Sequence, residues 1–327
     1  MGEKADESRF FHFWEAKMKT RIYVDGYNLY YGCLKNTPYK WLDLVKLVES
    51  AILPSSIPED YSVSTLDMRY FTAPISGRAA QDDDSVKDQA NYHRALEALY
   101  PPGKFDIIQG YFSVADTFAF KIDDVQPDKE PRYCERVKVW KLEEKQTDVN
   151  IAVEALYDAL TDTSLEHMVF VTNDTDIAPA LHKIKQATDI KIGVIVPTKE
   201  TVRRVSEKLT SEADWFRSNI KDNELNASSL PRSISVSTRQ KLRKPIAKPI
   251  SWYGQSQLVH EIISTLLPVM SNKRNKCWQW LETEKPDVDG LPKLEDLPIN
   301  LLNDEKTAVD VLVHAKAYVE YIESKRS

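Results

Sequence analysis

The chain has 327 residues and is 42% hydrophobic and 29% charged, an ordinary globular composition with room for one large domain or two smaller ones. Its net charge of −6 excludes a generally basic nucleic-acid binder, although a local groove can still be basic. No apolar run reaches the length of a membrane span, the charged N-terminus has no secretory apolar segment, and Cys33, Cys134 and Cys277 are too scattered for a disulfide framework or a zinc pattern, so a cytoplasmic location is expected.

Residues 1–19 read as an N-terminal extension, with Met18 as an alternative start. RIYVD (21–25) is a short buried strand, followed by polar GYN, a tyrosine-rich stretch and the helix-like WLDLVKLVESAIL. STLDMRYFTA (64–73) is a second strand, and SGRAAQDDD (76–84) is a loop feeding the helix VKDQANYHRALEAL, which Pro-Pro-Gly at 101–103 ends. FDIIQGYFS is a third strand, 121–135 a loop or hairpin, and RVKVWKLE from 136 alternates like an edge strand. TDVNIAVEALYDAL is a helix with Val149, Ala152, Val153, Leu156 and Leu160 along one face. MVFVT, IAPALHKIKQA, IKIGVIVP and ETVRRVSEKL then read as strand, helix, strand and helix.

This alternation predicts an α/β fold with a mostly parallel sheet and helices on both faces, over residues 20–222. Residues 223–250 read as a basic linker: from 226 to 250 there are six basic residues, three prolines and no acidic ones. Residues 251–327 read as a small C-terminal helical domain, with QLVHEIISTLLPVM and KTAVDVLVHAKAYVEYI as its clearest helices.

In an open parallel sheet, ligands bind beyond the carboxyl ends of the strands. Asp25 ends the first strand, Asp174 and Asp176 follow MVFVT, and Asp148 opens the helix after RVKVWKLEEK. Two carboxylates one residue apart repel each other unless they are solvated or share a cation. Four such acids on one sheet edge form an oxygen-donor set suited to Mg²⁺ or Mn²⁺. Each acid also has a plainer reading, as a helix cap for Asp148, Asp174 or Asp176 and as a turn residue for Asp25 before Gly26.

Three segments, VDGYNLYYG (24–32), KQTDVNIAVEAL (145–156) and VFVTNDTDIAPAL (169–181), in that order resemble the NYN domain, a family of PIN-like nucleases with many bacterial members. The resemblance covers about residues 20–220. It implies a PIN-like α/β/α sandwich and metal-dependent ribonuclease activity, with Asp25, Asn28, Asp148, Asp174 and Asp176 as catalytic residues, the four aspartates as metal ligands, and Lys145 at the position preceding the helix acid. The chain departs from the family pattern at Asn173, where a small Gly is usual, at Ile177, where an aromatic is common, and at Glu154, which is often Asp. The C-terminal CWQWLETEKPDVDGLPKLEDLP loosely resembles the toxin-binding domain of certain bacterial antitoxins, which implies a protein partner or self-association through 251–327.

The activity so implied is hydrolysis of RNA phosphodiester bonds, the metal lowering the pKa of a water and neutralising charge on the phosphorane. Asn28 orients a carboxylate or phosphate, and Lys145 contacts substrate phosphate or is simply solvated beside Glu143 and Glu144. Tyr27, Tyr30 and Tyr31 offer faces for unpaired bases or pack at a helix start. Arg203 and Arg204 track a backbone or are solvated. Two rival readings stay open: an RNA-binding or scaffold protein with a degenerate site, and a phosphohydrolase. The latter needs Asp-x-Asp at its first strand, whereas Asp25 is followed by Gly26 and Tyr27.

Overall fold

The computed structural model describes residues 16–78, 80, 84–199, 205–235, 237–238, 241–242 and 245–326. The expectations for residues 1–15 and for Arg203 and Arg204 lie outside the described residues. The strands are β1 Ala16–Asp25, β2 Tyr61–Thr72, β3 Phe105–Gln109, β4 Tyr111–Phe120, β5 Arg136–Lys145, β6 His167–Val171, β7 Lys191–Ile195 and β8 Trp215–Arg217. The helices are α1 Gly26–Leu29, α2 Leu44–Lys46, α3 Ser85–Leu99, α4 Thr147–Thr161, α5 Ala178–Ala187, α6 Glu207–Thr210, α7 Asp222–Ala227, α8 Ser256–Leu266, α9 Arg274–Leu281 and α10 Glu305–Ser324.

The chain divides into two compact units, one comprising the chain up to Cys33 together with Asp43–Ser228, the other Leu34–Leu42 together with the chain from Ser229. The first unit is built on a six-stranded sheet in the order β3-β2-β1-β6-β7-β8, with every pair parallel. Side chains alternate across a strand, so Tyr23 in β1 projects to one face and Ile22 and Val24 to the other. Tyr23, Phe71 and Phe170 pack with Ile151 and Ala155 of α4, Leu181 and Ile184 of α5 and Leu209 of α6. Ile22 and Val24, on the other face, are 0% and 1% exposed. Burial on both faces explains the apolar runs 22–24 in β1 and 168–171 in β6, and the architecture is the expected α/β/α sandwich.

Three expectations are corrected. FDIIQGYFS is two strands rather than one: β3 stays in the sheet, and after Gly110 β4 leaves it. β5 is not an edge strand of the sheet but pairs with β4 alone along ten antiparallel residue pairs, forming a separate ribbon. The third correction is the face of α4. Ile151, Ala155, Asp158 and Ala159 are buried and Leu156 is partly buried, whereas Val149, Val153 and Leu160 are 63%, 58% and 63% exposed. The cause is polar: Asp158 accepts hydrogen bonds from the Tyr23 hydroxyl at 2.7 Å and from Arg69 at 2.8 Å, and Glu154 pairs with the same Arg69. These ion pairs join α4 to β2 and, through Arg21, to β1, and hold this side of the helix against the sheet.

WLDLVKLVESAIL is helical but not uniform: α2 passes into a wider π turn over Leu47–Ile52 and a tight 3₁₀ turn at Leu53–Ser55. In the second unit, Val259, Ile262, Ile263 and Leu266 of α8 pack with Cys277, Trp280 and Leu281 of α9 and Val311, Leu312 and Ala315 of α10. The segment expected as a basic linker carries short antiparallel pairs, Ser233–Ile234 with Ile246–Ala247 and Ser237–Thr238 with Lys241–Leu242. Among the described residues, no helix is long and apolar enough to cross a membrane.

Candidate active site

β1 ends at Asp25, whose backbone is extended and whose carboxylate accepts from the Asn28 amide at 2.8 Å, so it caps α1 as well as facing the sheet edge. The turn must be tight here: a Cβ at Gly26 would lie 2.6 Å from the Phe71 carbonyl oxygen. The other oxygen of Asp25 accepts from Thr172 Oγ1 at 3.0 Å, just past the end of β6. Thr172 Oγ1 in turn accepts from the Asp174 amide at 3.0 Å. Asp174 then caps its own short turn, accepting from the Asp176 amide at 3.0 Å. Asn28 Oδ1 accepts from the Asn173 amide at 3.3 Å and Asn173 Oδ1 from the Ser206 amide at 3.1 Å, so side-chain amides fix the loop after β6.

Asp148 stands in the first turn of α4. Asp25, Asp148 and Asp174 thereby come from three elements to one cleft of about 340 Å³, together with Tyr27, Asn28, Tyr31, Phe112, Leu142 and Glu144. Of the residues expected in the site, Asp176 is not on the cleft wall, although its charge reaches Asp148. Lys145 pairs with Glu143 at 2.7 Å, which holds the ammonium in its charged form. On a strand, neighbours project to opposite sides, so Lys145 lies across the ribbon from Glu144. Glu144, Thr172, Phe112 and Leu142 were not anticipated. Only the β4–β5 register identifies Phe112 and Glu144 as one same-side pair.

The electrostatics are those of crowded acids. Burial pushes the Asp25 carboxyl up to about 6, against the Asn28 and Thr172 hydrogen bonds and with help from Asp148 and Asp174. Burial also lifts Glu144 to about 7, opposed by its hydrogen bond from Thr147 and reinforced by Asp25 and Asp148. Asp148 reaches solvent, yet partial desolvation, Asp174 and Asp176 raise its carboxyl too. Among the described residues, none of Asp25, Asp148, Asp174 and Asp176 forms an ion pair with a lysine, arginine or histidine. The donors are hard oxygens, and hard divalent cations prefer such donors. Among the described residues, no three His, Cys, Asp or Glu side chains close around one point.

The NYN domain model matches residues 19–220. The chain is 42% identical over 310 residues, 92% of its own length and 95% of the relative's, to 6-hydroxy-3-succinoylpyridine 3-monooxygenase HspA of Pseudomonas putida (strain DSM 28022 / S16). A crystal structure of a protein of unknown function from Vibrio parahaemolyticus is similar at 20% identity, covering 63% of this chain and 95% of that one, with a TM-score of 0.34.

Proposed function

The chain belongs to the NYN domain family, and from that membership and the cleft we propose that it is a ribonuclease that hydrolyses phosphodiester bonds with Mg²⁺ or Mn²⁺. The observation that carries the proposal is the convergence of Asp25, Asp148 and Asp174 on one cleft, none of them in an ion pair with a lysine, arginine or histidine among the described residues. Asp25 and Asp174 would hold the ion, with Asp148 closing the site and Asp176 adding negative charge behind it. A bound ion supplies charge neutralisation at the phosphate and acidifies a water. The protein's own groups do the rest. Thr172 and the Asn28 amide fix both oxygens of Asp25. Glu144 lines the same cleft and offers a carboxylate to accept a proton from the attacking water. Tyr27, Tyr31 and Phe112 wall the cleft with ring faces that can hold a base beside the scissile phosphate.

A second reading follows from the 42% identity along nearly the whole chain: an aromatic-ring monooxygenase like that relative. The same aromatic walls would then clamp a heteroaromatic ring. Inserting one oxygen atom requires dioxygen and a two-electron donor, the second oxygen leaving as water.

Purified protein incubated with labelled single-stranded and structured RNAs, with Mg²⁺, Mn²⁺ or chelator, tests the first reading. Incubation with 6-hydroxy-3-succinoylpyridine, oxygen and a reductant tests the second. Metal-dependent RNA cleavage that Asp174→Asn abolishes supports the ribonuclease. Consumption of the pyridine without RNA cleavage overturns it in favour of the monooxygenase.

A further inference from the structure

The β4–β5 ribbon begins at the cleft and is a two-stranded sheet separate from the six-stranded one. In an antiparallel pair, directly opposed residues project to the same side. The register puts Phe112 with Glu144, Val114 with Leu142, Asp116 with Trp140, Phe118 with Lys138 and Phe120 with Arg136, all on one side of the ribbon. Phe112, Glu144 and Leu142 line the cleft. Beyond them Trp140, Phe118 and Phe120 are 62%, 57% and 50% exposed. Large rings at this exposure, all on one side, are neither core nor an ordinary solvated surface.

Cations interleave with these rings. The Arg136 guanidinium lies 5.4 Å from the Phe118 ring centre and 5.7 Å from that of Phe120, and Arg78 lies 5.2 Å from that of Trp140. Among the described residues, neither arginine forms an ion pair with a carboxylate. Lys138 pairs with Asp116, so the outer ribbon side carries a positive excess that leads to an acidic cleft. From Phe112 to Phe120 the strand rises roughly 26 Å, enough for several nucleotides.

We propose that this side of the ribbon is a stacking platform for the unpaired bases of single-stranded nucleic acid, delivering the strand to the cleft. The proposal rests on the reading of the cleft as an RNA-cleaving site. Exposed ring faces take successive bases without regard to sequence, and the interleaved cations follow the phosphates. A duplex keeps its bases stacked internally and offers nothing to these rings. A protein-binding surface would not need a guanidinium beside each outer ring or the continuity with the catalytic cleft.

The test uses the full chain in chelator, so that binding is read without cleavage. Labelled oligouridylates of increasing length and an RNA duplex are titrated against the wild type, Trp140→Ala, Phe118→Ala and Trp140→Phe, with circular dichroism as the folding control. The wild type should bind single strands more tightly than duplex, with affinity rising with length. Each alanine variant should lose roughly tenfold in affinity, and Trp140→Phe should retain most of it. With metal restored, Trp140→Ala should raise KM for long strands and leave cleavage of a dinucleotide unchanged. Equal affinity for duplex, or alanine variants that bind like the wild type, would overturn the proposal while leaving the ribonuclease intact. A dimeric wild type made monomeric by Trp140→Ala would overturn it in favour of a protein interface. Neither binding nor cleavage of RNA by the wild type would overturn both readings.

Discussion

Thr172 Oγ1 donates to Asp25 Oδ2 across 3.0 Å, although the two residues are 147 positions apart. The bond joins the ends of the two central strands, β1 and β6, and the same hydroxyl accepts from the amide of Asp174. One threonine thus sets the spacing between two of the acids that would share a cation.

Asp174→Asn keeps the cap on its short turn, because an asparagine oxygen also accepts from the Asp176 amide. It removes one charge from the cluster, so the fold should survive and metal-dependent RNA cleavage should fall. Loss of an outer-shell partner alone typically costs about 10–100-fold in metal affinity or activity, and loss of a direct ligand should cost at least that. Single-turnover cleavage with the variant purified free of other nucleases measures it.

His167 should make the fold acid-sensitive. It is 0% exposed, with Trp215 Nε1 donating to its Nε2 at 3.0 Å and Nδ1 within 3.0 Å of Thr20 Oγ1. The Tyr61 ring packs edge-on against it. Burial lowers its pKa from 6.5 to about 4, partly offset by Asp214. The unfolded chain therefore binds the proton first, and stability present above about pH 6.5 is lost as the pH falls towards 4. The loss is on the order of 3 kcal/mol. Urea unfolding of the wild type and His167→Asn at several pH values should show the gap between them shrinking on acidification. A gap independent of pH would refute the buried neutral imidazole.

Gly32→Ala should destabilise strongly. A Cβ there would sit 1.7 Å from the Pro197 carbonyl oxygen, backbone that cannot swing aside as a flexible side chain can. Overpacking of this kind typically costs about 1–3 kcal/mol or more. A thermal melt within a degree or two of the wild type would count against so close an approach of the two segments.

Ending the chain at Ser228 should leave a weakened fragment. Trp41 and Leu42 are 1% and 0% exposed; Trp41 Nε1 donates to the Pro231 carbonyl at 2.8 Å, and Leu42 bridges to Ser229. Exposing Leu42 alone should cost roughly 1.5–3 kcal/mol. Differential scanning calorimetry should find the fragment melting below the intact chain, and an unchanged melting temperature would show that residues 34–42 do not need the C-terminal chain.

The sequence by itself determined the alternation of strands and helices, because apolar runs and their punctuation by Gly, Pro and capping acids are local signals. It also placed Asp25, Asp148 and Asp174 at the starts of turns and helices beyond strand ends, where a parallel sheet gathers them. What it could not decide depended on distant partners. α4 carries two apolar stripes at helical spacing, and Tyr23, Arg21 and Arg69, reaching Asp158 from β1 and β2, hold one of them against the sheet. FDIIQGYFS reads as one strand because periodicity persists through Gly110, whereas hydrogen-bond partners divide it between sheet and ribbon. Glu144 looks like a solvated acid beside Lys145, and only pairing with Phe112 turns it into the cleft. Residues 34–42 lie within a continuous run of chain, yet their contacts assign them to the unit that begins at Ser229. Local pattern fixes the elements, but which side of each is buried and which neighbours it meets are set by non-local contacts and emerge only when the whole chain is folded.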